Sequence, residues 1–156
     1  MQAPTRIDAR SAGDYLEVMT RAVFQGGISW NVVAAKWPGI RAAFHGFDAE
    51  RVADMVEPEI DRIASNPDVI RNRRKIEATV SNAAGLIEIE REFGSVGAYL
   101  ATLPDFDAKV KALRKRFKFL GETGCYYFLY VVGEDVPPHD EWRRRREEQP
   151  GSVSGR

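Results

Sequence analysis

The sequence predicts an all-α protein on three observations. Apolar residues recur at helical spacing along most of the chain. Residues that start and stop helices bracket those runs. The one run rich in strand-forming residues, Cys125 to Val132, has no second run to pair with, so it reads as a buried helix.

Taken in order, Tyr15, Val18, Met19, Ala22 and Val23 mark a first amphipathic helix that Gly26 and Gly27 stop. Ser29 is a good N-cap for a second, predicted to end near Trp37 where Pro38-Gly39 punctuates the chain. Asp48 caps a third carrying Val52 and Met55 inward, and Asn66-Pro67 has the form of a cap and first turn for the next. The spacing Ile76, Val80, Ala83, Ile87 sustains a longer helix to about Glu92, which Gly94 ends. Gly97 to Leu103 forms one more, closed by Pro104, and Asp107 caps a helix through Val110 and Leu113 to Arg116. After Gly133 the composition turns polar, with Pro137-Pro138, Arg143 to Arg146 and a Gly/Ser end. The expected organisation is one helical domain over residues 1–140 and a disordered basic and polar tail over 141–156.

A chain of 156 residues is long enough to bury its own core without metal or disulfide staples. Cys125 is the only cysteine, and no signal-peptide pattern is visible, so a reducing cytoplasm is expected. No apolar segment approaches the roughly 18 residues of a membrane helix. The 23 basic and 23 acidic residues cancel, which excludes a uniformly basic nucleic-acid coat. The charge is nonetheless clustered: Arg71, Arg73, Arg74 and Lys75 form one basic group, and Lys109 to Lys118 holds six cations with no acid between them. Local clusters of this kind neutralise phosphates.

Three segments carry chemistry. Between Arg116 and Gly124 a cationic helix runs through Gly121 and Gly124 into another helix; backbone N–H groups and a helix N-terminus there suit a phosphate, although the same glycines also suit an ordinary helix-helix turn. Arg71 to Lys75 is either a second backbone contact or a solvated helix face, with Asn72 free to cap the helix. Trp30, just past a Gly-Gly turn with Gln25 and Ser29 beside it, is either a core residue or a ring on which an extruded base stacks.

Together these segments resemble the DNA-3-methyladenine glycosylase I family of the helix-hairpin-helix DNA glycosylase superfamily. The matching residues are FQGGISW at 24–30, AAFHGFDAERVADM at 42–55, IRNRRKIEATVSNA at 70–83, GSVGAYL at 94–100 and LRKRFKFLGETGCYYF at 113–128. The resemblance implies a compact multi-helix helix-hairpin-helix fold that removes alkylated purines such as 3-methyladenine from double-stranded DNA after base flipping. Carried over by position, Trp30 is the stacking residue of a base pocket that includes Ala22, Phe24, Gln25 and Ser29. Gly121, Thr123 and Gly124 form the DNA-binding hairpin, flanked by Arg116 and Lys118, with Arg71, Asn72 and Lys75 as further backbone contacts. A monomer without cofactor is expected.

The chain departs from the family pattern in three places. The base-recognising glutamate, eight residues before the pocket Trp, falls on Ala22, and a methyl group cannot accept a hydrogen bond or offset a cationic base. The Tyr-His-Asp-x-Glu-Trp segment is missing, and although His139 falls near a zinc-ligand position, position 143 is Arg rather than Cys. A Cys/His zinc site is therefore not expected, and His45 is expected to be a loop residue. The family's glycine between Arg116 and Phe117 is also missing. Asp140, at about twenty residues past Gly121, is the candidate catalytic carboxylate, against the alternative of an ordinary surface acid. The function expected is a base-excision glycosylase; the alternative is a catalytically weak or inactive DNA-binding, damage-recognition module on the same scaffold.

Overall fold

The structure, a computed structural model, describes residues 3–148, and every regular element among them is helical. Helix α1 (Ala12–Gln25) opens on a capping box in which Ser11 and Asp14 satisfy each other's backbone N–H groups. Its buried face carries Tyr15, Leu16, Met19 and Val23, and Gly26 ends it.

Helix α2 (Trp30–Ala43) starts from Ser29, whose hydroxyl accepts from Asn31 N–H. It does not stop at Trp37 as the sequence predicts but runs through Pro38. The buried stripe of Val33, Trp37 and Ile40 continues across that position, while Ala34 and Pro38 are exposed. The hydrogen bond that proline removes is thus lost on the solvent side, where water replaces it.

A 3-10 turn (His45–Phe47) and α3 (Ala49–Ala53), capped by Asp48, lead into α4 (Glu57–Ala64), which holds Pro58 in its first turn and buries Ile60 and Ile63. The Asn66-Pro67 pair does not open a helix. Asn66 Oδ1 accepts from Asp68 N–H at 2.8 Å, and the turn so made passes against Gly39, where an added Cβ would meet the Asp68 carbonyl.

The long helix α5 (Arg73–Phe93) begins three residues ahead of Ile76, with Asn72 as its N-cap, and packs on α1, α3, α4 and α6 (Val96–Ala101). Asp105 rather than Asp107 caps α7 (Phe106–Arg116). Helix α8 (Glu122–Val131) lies against both α7 and α1 and buries Cys125, Phe128, Leu129 and Val131, so the strand-forming composition of that run is spent on core packing.

The chain differs from expectation at its carboxyl end. Residues expected to be a disordered tail from 141 onward form most of a ninth helix, α9 (His139–Glu147), anchored by Trp142 at 7% exposure. A single large ring packed in a tilted arrangement on Tyr126, with ring centres 4.5 Å apart, supplies the apolar contact that the arginine-rich sequence otherwise lacks. Residues 149–156 of that expected tail lie outside the described residues. No helix among the described residues is long and apolar enough to cross a membrane.

Candidate nucleic-acid interface and base pocket

The connection between α7 and α8 turns at Phe119, which adopts a left-handed φ of 60°. Neither hairpin glycine supplies that bend. Gly121 is extended (φ −86°, ψ −173°) and stands as the N-cap of α8 with no side chain to cap the helix, leaving first-turn N–H groups without a side-chain acceptor from that position. Gly124 lies within α8 and serves close packing: an added Cβ would sit 3.4 Å from Leu120 and 3.8 Å from the Cβ of Ala22 on α1. Asn82 of α5 fixes the approach to the bend through both amide atoms on the Lys118 backbone. The two basic clusters meet here, since the Arg74 guanidinium stands 5.6 Å over the Phe119 ring.

Beside this hairpin opens a cavity of about 320 Å3. Trp30 of α2, Thr123 at the start of α8, and Tyr126, Tyr127 and Tyr130 farther along α8 line it, with His139 and Trp142 of α9 and Pro4 closing the sides. Tyr126, Tyr127 and Tyr130 share one side of α8 because residues one, three and four apart lie within a third of a turn. Trp30 meets Tyr127 edge to face with ring centres 5.4 Å apart. The Tyr126 hydroxyl donates to the Pro137 carbonyl at 2.6 Å, and its ring contacts both His139 and Trp142. The chain before α1 covers α8, with Ile7 N–H donating to the Val131 carbonyl and the Arg6 guanidinium 4.2 Å over the Tyr130 ring. Burial pushes the Tyr127 hydroxyl above its ordinary pKa, with Arg21 and Gln25 acting in the opposite sense, so at neutral pH it is a neutral group able to donate or accept.

Trp30 and Thr123 are therefore brought to one concave face. The other pocket candidates fall differently. Gln25 is buried beside Tyr127 behind the cavity, Ser29 is occupied as the α2 cap, and Phe24 is fully buried in the core. Ala22 is buried against Gly124 and does not line the cavity. No Asp or Glu is among the cavity-lining residues. Asp140 sits in the first turn of α9 with its side chain 87% exposed, 3.7 Å from Arg143, and does not line the cavity either. That arrangement matches its surface-acid alternative.

Of the expected backbone contacts, Arg71, Arg116 and Lys118 are exposed, the last two on the chain that leads into the hairpin. Asn72 is committed to capping, its Oδ1 accepting from Lys75 N–H at 3.2 Å. Lys75 is not available to a phosphate at all: it is 7% exposed, and its ammonium donates to the carbonyls of Phe24 and Gly26. Those carbonyls terminate α1 and have no helical partner, so the lysine of α5 completes the turn that leads to Trp30. His45 is half-buried, its Nε2 paired with Glu59 across the 3-10 turn, rather than free in a loop.

The residues present do not fit a Cys/His zinc site. His139 packs on aromatic rings, Arg143 follows one turn later, and Cys125 is buried inside α8, where burial raises its thiol pKa to about 12. Among the described residues no group of three His, Cys, Asp or Glu side chains converges.

Sequence reasoning missed Tyr126, Tyr127, Tyr130, His139 and Trp142 as cavity walls and Asn82 as the hairpin clamp. The available signal was three tyrosine hydroxyls within an otherwise apolar helix, since buried tyrosines require an outlet for their polar end.

The sequence profile of the family described as methyladenine glycosylase matches residues 8–113. DNA-3-methyladenine glycosylase 1 of Escherichia coli (strain K12) is 34% identical over 130 residues, covering 70% of each chain. The crystal structure of a 3-methyladenine DNA glycosylase I superposes with a TM-score of 0.70 at 32% identity, covering 83% of this chain and 81% of that one. A solution structure of 3-methyladenine DNA glycosylase I, described as revealing a mode of alkylated base recognition, gives a TM-score of 0.66 at 31% identity over 84% of this chain and 79% of that one.

Proposed function

Because the chain belongs to the methyladenine glycosylase family, we propose that it is a monofunctional DNA glycosylase that hydrolyses the N-glycosidic bond of alkylated purines, such as 3-methyladenine, in double-stranded DNA. The single observation that carries this reading is the shared cavity: Trp30 and the hairpin residue Thr123 line the same space of about 320 Å3. That space suits one purine ring system, and a base can reach it only after leaving the helical stack.

The chemistry asked of the protein is modest. An N-alkylated purine carries positive charge and is already a good leaving group, so the bond from the sugar breaks as the base departs neutral and water adds to the sugar. Trp30 holds the extruded ring, the surrounding tyrosines exclude water from its faces, and Tyr127 offers a neutral hydroxyl in a pocket without a carboxylate. The hairpin, Arg116 and Lys118 hold the DNA backbone so that the nucleotide stays extruded.

Incubation with duplex DNA methylated at purines, followed by chromatography of released bases, tests this. Release of free 3-methyladenine or another alkylated purine is expected. Absence of release from alkylated substrates removes the hydrolase reading.

One observation favours a second reading. With Ala22 packed against Gly124 and Asp140 out in solvent, no acid borders the cavity. A damage-binding module on this scaffold follows if the protein binds methylated duplex in a salt-sensitive way with no turnover.

A further inference from the structure

Helix α9 lies beyond the residues shared with the family profile, and its run of four arginines has no part in the function proposed above. At roughly 100° per residue, His139, Trp142, Arg143 and Arg146 fall on one stripe of the helix, with Arg144 on the opposite side. His139 and Trp142 line the aromatic cavity, while Arg146 Nη1 donates to Thr123 Oγ1 at 2.8 Å where α8 begins. The stripe thus runs from the cavity to the hairpin. Arg143 stands along that path with its side chain 63% exposed, held only by Asp140 at 3.7 Å within the same helix. An exposed pair of that kind contributes little and yields readily to a better anion.

We propose that Arg143 and Arg146 form a second phosphate-binding wall, which takes the DNA backbone on either side of the extruded nucleotide. The inference rests on the reading that the cavity receives a base from DNA. A nucleotide swung into the cavity brings its own flanking phosphates to the rim. Neither guanidinium lines the cavity itself, but Arg146 reaches the rim residue Thr123, and Arg143 lies on the same stripe of α9 as His139 and Trp142, which do line it. Their planar forks match phosphate oxygens in a way that a solvated lysine does not. Glu122 draws Arg146 towards the hairpin: its Oε2 lies 3.3 Å from Arg146 Nε, and Arg114 Nη1 lies 3.3 Å from its Oε1. The first turn of α8, where an anion is favoured, therefore already has two arginines converging on a negative group. Arg145 has a different task, since it turns to Asp107 at 3.1 Å and ties α9 to α7.

The test is fluorescence anisotropy of a labelled duplex carrying an abasic-site analogue, titrated with the full chain across a series of salt concentrations. The double variant Arg143→Ala/Arg146→Ala is expected to bind about tenfold or more weakly at moderate salt. Its slope of log affinity against log salt is expected to fall by about 1.8, two phosphates at about 0.9 each. Arg144→Ala should leave both quantities unchanged. If circular dichroism shows that the double variant has lost helix, Arg143→Gln alone decides, with an expected slope loss of about 0.9. A wild-type protein with no salt-dependent binding overturns the DNA reading and this inference with it. Wild-type binding that Arg116→Ala/Lys118→Ala weakens, but that Arg143 and Arg146 variants match in both affinity and slope, overturns the α9 wall alone.

Discussion

Asn82 and Lys118 form a two-way clamp. Asn82 Oδ1 accepts from the Lys118 backbone N–H at 2.9 Å, and Asn82 Nδ2 donates to the Lys118 carbonyl at 3.1 Å. One side chain on α5, 3% exposed, thereby satisfies both backbone groups of a residue in the α7–α8 connection, next to the left-handed Phe119. The hairpin's position relative to the body of the protein depends on that amide.

Asn82→Ala leaves a part-buried backbone N–H and carbonyl of Lys118 without their partner. A stability loss of about 1–3 kcal/mol is expected in urea unfolding. Affinity for duplex DNA should fall several-fold in the fraction that stays folded, because the bend is no longer held. Wild-type affinity in a folded variant would show that the hairpin is placed without the clamp.

A carboxylate introduced at position 22, where the resemblance to the family implies a base-recognising glutamate, should not create a base contact. Ala22 is 5% exposed and faces Gly124 in the α1–α8 seam, so Ala22→Glu buries an acid in a closely packed seam. The variant is expected to lose about 2 kcal/mol or more of stability in urea unfolding, with no gain in base release. A stable variant with faster release would mean that the seam opens into the cavity.

Lys75→Met keeps the length of the side chain but removes the donors on the Phe24 and Gly26 carbonyls. Thermal unfolding should register a loss of about 1–3 kcal/mol. The turn that carries Trp30 should loosen with it, seen as faster amide exchange over residues 24–29. A lysine acting on phosphate would instead leave stability unchanged and reduce the salt slope by about one.

Cys125 supplies a pH test. Burial raises its pKa from the ordinary 9.0 to about 12, so the folded chain keeps the thiol proton where the unfolded chain releases it. The stabilisation is complete below pH 9 and is lost as pH rises towards 12. Alkylation by iodoacetamide at pH 8 should be slower by about 100-fold or more in the native protein than in denaturant. Comparable rates would place the thiol at the surface.

The helical class and the long central helix are legible in the sequence because they depend on local spacing and caps, as Ser29, Asp48 and Asn72 illustrate. So is the identity of the two segments that meet at the cavity, which motif order preserves. Side-chain direction is not legible in the same way. Lys75 belongs to a charge run, yet unpaired carbonyls from a turn some fifty residues earlier draw it inward. Pro38 is a helix breaker by rule but lies on the solvent side of a stripe that packing sustains. The bend of the hairpin falls on Phe119, where the left-handed conformation is set by Asn82 and the packed ring rather than by a glycine. Helix α9 depends on one tryptophan finding Tyr126, a contact that hydropathy averaging over an arginine-rich segment conceals.

The most direct measurement places 2-aminopurine beside a stable methylated-purine analogue in a duplex and follows its fluorescence as protein saturates the DNA. The account predicts a rise as the neighbouring base leaves the stack, and its loss in Trp30→Ala, with affinity falling about tenfold for the lost stacking contact of about 1–3 kcal/mol. Saturated binding with no rise, or an equal rise in wild type and Trp30→Ala, would contradict it.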